Sequence, residues 1–161
     1  MANAELLFGL ANLFAMAGWA CLAVAVFRVR RAGLVAAARV AAALVAGLYV
    51  AILVRGLAVG PGLPEGAGFA TLRGVEALFG QPGAILGAWV HLLAFDLWAG
   101  AWAAEDAGRR DLPAVPMLGC LALTLMAGPA GLLVYLLWAS LRPGRPGAGS
   151  GNRTRAFSMG G

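Results

Sequence analysis

The sequence predicts an all-α integral membrane protein, built as a four-helix bundle with one short interfacial helix. Hydrophobic residues make up 61% of the 161 residues, whereas charged residues make up only 12%. The apolar residues form four long runs, and a run of about 20 apolar residues is long enough for an α-helix to cross a bilayer. A soluble domain would instead alternate apolar and polar positions along its elements. The runs therefore predict transmembrane helices.

The boundaries of the spans follow from the charged and helix-breaking residues between the apolar runs. The first span stops at the basic segment 28–31, and the third opens at Pro82, which suits the first turn of a helix. Arg39 lies one turn inside the second span, and its long side chain is expected to snorkel outward to the headgroups. Gly128-Pro129 interrupts the fourth span and is expected to kink it or free a carbonyl. The four predicted spans are residues 6–27, 35–54, 82–104 and 116–141.

The remaining parts of the chain are a short helix and a tail. Residues 69–79 repeat apolar side chains at a helical spacing, but eleven residues are too few to cross a bilayer. We expect this helix to lie in the membrane interface. Residues 142–161 are rich in Gly, Pro and Arg and have no apolar face to bury, so they are expected to form a disordered tail. Residues 1–141 are thus predicted to form a single transmembrane domain.

The charges indicate membrane lipids rather than nucleic acid as partners. All twelve basic residues are arginines, and they flank the apolar runs, where they meet lipid headgroups. Four crossings would place both termini on one side, with six arginines on each side of the membrane, so this count leaves the orientation open. The absence of lysine and the abundance of Ala and Gly are typical of a GC-rich bacterial genome. The expected location is therefore a bacterial inner (cytoplasmic) membrane.

The third span carries the two ionisable side chains best suited to chemistry. His91, the sequence's only histidine, and Asp96 both fall within an apolar run, where ionisable groups are costly and usually face protein or water. Five residues correspond to about 140° around a helix, so the two side chains are expected on different faces. Asp96 is expected to point into the bundle, where it is either hydrogen-bonded to a specific partner or poised over a cavity. The candidate partners are Tyr49, Tyr135 and His91 of a neighbouring protomer.

Each of these residues has a structural and a functional interpretation. His91 is a packing residue, a proton donor or acceptor, or an axial ligand of a haem or chlorin. Asp96 is half of a structural pair or a catalytic acid. The candidate substrate-binding residues are Trp89, Trp98, Tyr49 and Tyr135. No metal site and no cofactor are predicted, because the sequence has no nucleotide-binding glycine pattern, HExxH or CxxC, although a carotenoid or other lipophilic pigment stays open as a ligand.

The segment Trp89-Val-His-Leu-Leu-Ala-Phe-Asp-Leu-Trp98 resembles the Trp-x-His-Leu-Leu-x-x-Asp-Leu-aromatic signature of the abscisic-acid-deficient-four-like family. The similarity covers roughly positions 44–140 and includes the short helix 72–79, Asp106 and Gly128–Leu132. Two positions depart from the family pattern. Ala101 stands where family members commonly carry an arginine, and Gly128 stands where the plant members have a cysteine.

The resemblance implies a function in carotenoid metabolism. Plant members of the family are plastid membrane proteins needed to form neoxanthin from violaxanthin, so a protein that acts on or binds a carotenoid or related isoprenoid is expected. Turning an epoxide into an allenic alcohol needs an acid at the epoxide oxygen and a base at a nearby C–H, and Asp96 and His91 supply these residue types. The alternatives are a non-catalytic assembly subunit of a membrane complex, for example a photosynthetic one, and a pigment- or haem-binding module that uses His91. Membrane-protein partners and a homo-oligomer also stay open.

Overall fold

The computed structural model describes residues 2–142, and all the regular secondary structure in this part is helical. The predicted tail lies outside the described residues from position 143 onward. The six helices are α1 (Ala2–Ala25), α2 (Arg31–Val59), α3 (Leu72–Phe79), α4 (Pro82–Arg109), α5 (Ala114–Ala127) and α6 (Pro129–Leu141).

Three of these helices, α1, α2 and α4, are long and apolar enough to cross a membrane. They pack through small residues, which let helix backbones approach closely. Gly18 of α1 lies against the Leu97 side chain of α4, and Gly100 of α4 lies against the Trp19 ring of α1. A Cβ atom at Gly100 would come within 2.7 Å of that ring, so this packing requires a glycine. Buried alanines fill much of the remaining contact, among them Ala38, Ala41, Ala42, Ala101 and Ala104.

The long helices continue further than the apolar runs indicated. α2 extends to Val59 and α4 to Arg109, beyond the predicted ends at 54 and 104. The difference has a physical reason, because the charged residues that end the apolar runs are arginine and glutamate. Both have good helix propensity, so the helical backbone continues through them into the headgroup region. A hydropathy pattern reports the depth of the apolar zone rather than the end of the helix.

The predicted fourth span, 116–141, is not one crossing helix, and this prediction was wrong. Gly128 leaves the helical conformation, with φ 40° and ψ −102°, and Pro129 starts α6. Gly131 of α6 then packs so closely on Thr124 of α5 that a Cβ atom at Gly131 would overlap the Thr124 backbone nitrogen. In a continuous helix these two positions would be about 10 Å apart along the axis. α5 and α6 therefore fold back on each other as an antiparallel helical hairpin.

The start of α5 and the end of α6 lie at the same end of the bundle. α5 has 14 residues and α6 has 13, and helices of about 20 Å are too short to cross a hydrocarbon core of about 30 Å. The hairpin tip lies beside Asp96 in the middle of α4, and Tyr135 of α6 lies beside Asp106 near the end of α4. α6 thus returns toward the side from which α5 started. The start of α1 and the end of α6 lie on opposite sides, whereas four crossings predicted one common side.

The two ends of the bundle differ in charge. One end holds the α1–α2 loop, the α4–α5 loop and the end of α6, and we call it the arginine-rich side. It carries seven of the nine arginines in the described residues, whereas the opposite side carries Arg55 and Arg73. An ion pair between Arg28 and Asp111 joins the two loops of the arginine-rich side. The chain topology therefore concentrates cationic side chains at one end.

The short helix α3 lies in the α2–α4 connection on the opposite side. It begins at Leu72 rather than at the predicted residue 69, because Thr71 caps it. The Thr71 hydroxyl oxygen accepts a hydrogen bond from the Gly74 backbone N–H at 3.0 Å, which satisfies one free donor of the first turn. Phe69 and Leu72 are exposed. That α3 lies in the membrane interface stays a prediction.

Candidate functional site

Asp96 lies at the tip of the α5–α6 hairpin. It stands halfway along α4 (Pro82–Arg109), about 20 Å from either end. Its side chain faces Gly128, where a Cβ atom would come within 2.8 Å of the carboxylate oxygen Oδ1. The missing side chain of Gly128 thus lets the carboxylate reach the junction between α5 and α6. The fold thus places an acid near the middle of a helix that is long and apolar enough to cross a membrane.

The Asp96 carboxylate has no hydrogen-bond or ion-pair partner among residues 2–142. Both tyrosines that the sequence offered as partners are engaged elsewhere. Tyr135 donates its hydroxyl to Asp106 Oδ2 at 2.7 Å, and Tyr49 packs edge-on against His91 with 5.2 Å between ring centroids. Neither tyrosine therefore pairs with Asp96 in the described residues, whereas a partner from a neighbouring protomer stays a prediction.

The hairpin leaves the outer half of α4 uncovered between Asp96 and the opposite side. Ile85, Trp89 and Leu92 are 55%, 43% and 52% exposed in this stretch. Trp89 and Asp96 are separated by two turns of helix, so they lie on one face. The Trp89 indole N–H donates to Asn12 Oδ1 of α1 at 3.4 Å. We call this stretch the uncovered face, formed by Ile85, Trp89 and Leu92 with Asp96 at its inner end.

His91 lies on a different face of α4 from Asp96. Its ring is exposed and packs against Phe95 with 4.6 Å between centroids, on the side where Tyr49 also contacts it. The offset of five residues separates His91 from Asp96 by about 140°. The exposed side chains of Leu92 and Phe95 lie between the two. The structure therefore does not bring His91 and Asp96 to one point, and a single ligand contacting both would have to cross over Leu92 and Phe95.

An apolar groove follows the seam between α2 and α4, next to His91. We call it the α2–α4 groove; its volume is about 280 Å³, and alanines form its floor while Phe95 and Trp98 form its wall. The lining residues are Ala42, Ala43, Ala46, Ala94, Phe95 and Trp98. The predicted substrate-binding residues thus separate into three places: Trp89 on the uncovered face, Trp98 and Tyr49 at or beside the groove, and Tyr135 in the hairpin.

The hydrogen bond between Tyr135 and Asp106 was not predicted from the sequence. Tyr135 is 1% exposed, and its hydroxyl shares Asp106 Oδ2 with the Arg110 side chain, whose Nε lies 2.7 Å from that oxygen. The ring also meets Trp102 edge-on at 5.9 Å between centroids. These contacts tie α6 to the end of α4. In the sequence, the charge of Asp106 after the third span was a signal that this residue needs a partner. It did not identify Tyr135 as that partner, because Tyr135 reaches Asp106 only when α6 folds back.

A comparison with models of known protein families assigns the chain to a family. The family model described as ABA4-like, ABA DEFICIENT 4-like, matches residues 6–135. The chain belongs to the ABA4-like family. The matched region includes α1 through the first half of α6, and hence both Asp96 and the hairpin tip. The resemblance drawn from the Trp89–Trp98 segment is thereby confirmed. No curated protein and no solved structure matches the chain.

In this ABA4-like protein, the Arg39 side chain has its partners on α4. It forms an ion pair with Glu105 of α4, and its guanidinium lies 5.8 Å from the centre of the Trp98 ring. The physical reason is that α4 continues past the apolar run and brings a carboxylate within reach. The described residues contain no group of three His, Cys, Asp or Glu side chains that could hold a metal ion. Several charged side chains of the arginine-rich side pair with one another, among them Arg28 with Asp111 and Arg110 with Asp106.

Proposed function

We propose that this ABA4-like protein binds a carotenoid or related isoprenoid in a bacterial inner membrane and moves a proton to or from it at Asp96. The observation that carries the proposal is the placement of the Asp96 carboxylate at the hairpin tip, without a partner among the described residues. A carboxylate at the centre of a transmembrane helix costs about 2.5–3.5 kcal/mol on insertion scales. Neither an ion pair nor a hydrogen bond in the described part offsets that cost. A group held so unfavourably is suited to a functional role.

The apolar surroundings of Asp96 favour an isoprenoid as the ligand. The uncovered face is apolar and lies at bilayer depth, and Trp89 supplies a flat aromatic surface for a polyene chain. A chain lying along this face toward the hairpin tip meets one polar group, the carboxyl of Asp96. That group donates a proton when it is neutral and accepts one when it is ionised. His91 contributes to the same ligand if the chain continues over Leu92 and Phe95.

The bacterial location rests on composition. The arginine-only basic residues and the abundance of Ala and Gly fit a GC-rich bacterial genome, and the three long apolar helices fit a membrane location.

The test is to purify the full chain in mild detergent from a carotenoid-producing bacterial host. The absorption spectrum and the mass of extracted lipids identify the bound compound. Asp96→Asn keeps the side-chain shape but cannot exchange the proton, so we expect it to retain the bound isoprenoid and to lose its conversion. Asp111→Asn is the matched control, because Asp111 is an exposed carboxylate outside the membrane core. Conversion by Asp96→Asn at the wild-type rate would contradict the proposal.

Two other outcomes of the purification would support the alternative functions instead of the proposed one. A Soret or chlorin band that disappears in His91→Ala would identify a haem- or pigment-binding module at the exposed imidazole. A colourless protein that co-purifies with a defined set of membrane proteins would identify an assembly subunit.

A further inference from the structure

A cationic pocket lies on the arginine-rich side, between the start of α2 and the end of α4. Its volume is about 460 Å³. Arg31, Arg39 and Arg109 line it together with a single acid, Glu105, so the pocket carries a net charge of +2 at neutral pH. Guanidinium groups clustered at headgroup level bind phosphate through charge-assisted hydrogen bonds. The pocket has the charge, position and size for a phosphate-bearing headgroup.

The first turn of α2 adds to the positive potential of the pocket. Arg31 and Ala32, the first two residues of α2, both line it. The N-cap residue, Arg30, provides no side-chain hydrogen bond to the free backbone N–H groups of that turn. The positive end of the helix dipole therefore coincides with the arginine cluster, and both favour an anion.

The arginines are held in place but keep donors free. The Arg31 guanidinium donates to the Ala104 backbone carbonyl and lies over Gly108, where an added Cβ atom would overlap it. Arg39 pairs with Glu105, yet its Nε is enclosed and has no partner in the described part of the chain. The contacts of Arg31 with the Ala104 carbonyl and of Arg39 with Glu105 hold both guanidinium groups at the pocket, which suits a ligand that binds between the two arginines.

The cationic pocket adjoins the α2–α4 groove. Arg39 belongs to the pocket, and its guanidinium lies 5.8 Å from the centre of the Trp98 ring, which lines the groove. From Arg31 to Ala46 the two sites follow α2 for fifteen residues, a length of about 22 Å. A cationic pocket followed by an apolar groove, about 22 Å long together, matches a molecule with a phosphate head and a hydrocarbon chain.

We infer that the cationic pocket and the α2–α4 groove together form one binding site for a phosphate-bearing lipid. The phosphate lies between Arg31 and Arg39, and the hydrocarbon chain follows the alanine floor past Trp98 toward His91. This site lies on a different face of α4 from Asp96, so it goes beyond the proposed function and does not depend on it. A bilayer phospholipid and an isoprenoid phosphate share this chemistry.

Binding to the purified full chain in detergent tests the inference with three probes. Phosphatidylglycerol represents the bilayer phospholipid, farnesyl diphosphate represents the isoprenoid phosphate, and diacylglycerol lacks the phosphate. We expect the first or the second to bind, seen as a mass increase of one ligand in native mass spectrometry, and diacylglycerol to bind at least about tenfold more weakly. Equal binding of all three probes, or binding of none, would overturn the inference.

Two substitutions and two controls locate the site. Arg31→Gln removes one positive charge. Gly108→Ala keeps every charge but displaces the Arg31 guanidinium from its position over Gly108 of α4. Each should weaken binding by about tenfold or more. Gly108→Ala should fold normally, because only the flexible end of an arginine must move and alanine favours a helix.

Arg55→Gln changes the same charge on the opposite side and should leave binding unchanged. Binding at the wild-type level in both Arg31→Gln and Gly108→Ala would contradict the inference. Unchanged binding in Asp96→Asn would show that this site is independent of the site of the proposed function.

Discussion

At the scale of single residues, the contact between Gly128 and Asp96 defines the candidate site. Gly128→Ala should destabilise the protein, since a non-glycine residue at its positive φ of 40° costs about 1–2 kcal/mol and the new methyl group would meet the Asp96 carboxylate. The midpoint of thermal unfolding of the purified protein in detergent should fall relative to wild type.

The double mutant cycle shows whether the carboxylate contributes to that loss. In an Asp96→Ala background the methyl group at position 128 meets no carboxylate, so only the backbone cost should remain. The penalty of Gly128→Ala should therefore be smaller in this background. An identical penalty with and without the Asp96 carboxylate would show that the two residues are not in contact.

A second prediction at this scale concerns the two tyrosines. Tyr135→Phe should lower stability by about 1.5–3 kcal/mol, because it removes a hydrogen bond to a carboxylate in a nearly buried position. Tyr49→Phe is the matched control, since the Tyr49 hydroxyl makes no hydrogen bond within the described residues. Comparison of the two unfolding midpoints checks the prediction, and equal midpoints would contradict the Tyr135–Asp106 contact.

Sequence reasoning identified the chemically distinctive residues but not their neighbours. His91 and Asp96 are conspicuous because ionisable groups are rare in apolar runs, and their angular separation follows from helix geometry alone. Their partners depend on how the helices pack, which a single sequence does not encode in any local pattern. Tyr135 illustrates the limit, since its partner Asp106 precedes it by 29 positions and is reached only because α6 folds back.

At the scale of elements, the α5–α6 hairpin rests on the absence of a side chain at Gly131. Gly131→Ala would place a methyl group against the Thr124 backbone, which cannot rotate away. Overpacking of this kind typically costs about 1–3 kcal/mol. Gly119→Ala provides the control in the same hairpin, because no atom lies within 4 Å of its added Cβ. It should be neutral or stabilising by up to about 1 kcal/mol. Equal unfolding midpoints for the two variants would contradict the antiparallel packing.

The same hairpin shows why hydropathy predicted three of the helices well and the last poorly. α1, α2 and α4 are each long enough to cross a membrane, so run length and structure agree there. Residues 116–141 are also one apolar run, and a crossing helix with a kink has the same hydropathy as two short helices joined by a turn. The break at Gly128-Pro129 was visible in the sequence. Whether it produces a kink or a reversal depends on Gly131 packing against Thr124, a contact between two helices.

At the scale of the whole molecule, the hairpin changes the distribution of charge across the membrane. With the end of α6 on the arginine-rich side, seven of the nine arginines in the described residues lie on that side. Four crossing helices gave six arginines on each side over the whole sequence and hence no orientation, and among the nine arginines of the described residues they would give six against three. The revised topology is asymmetric, and an excess of arginine marks the cytoplasmic side. We therefore expect the arginine-rich side to face the cytoplasm, with the start of α1 and the α2–α4 connection on the other side.

Reporter fusions to the full chain test this orientation and the hairpin together. Green fluorescent protein attached after the last residue should fluoresce, because it does so only in the cytoplasm. Alkaline phosphatase inserted after Gly62, in the α2–α4 connection, should be active, because it works only outside the cytoplasm. In a topology of four crossings these two positions lie on the same side, so only one of the reporters could function. Activity of both reporters requires an odd number of crossings between residue 62 and the C-terminus, as α4 followed by the hairpin provides, whereas activity of only one would refute the re-entrant hairpin.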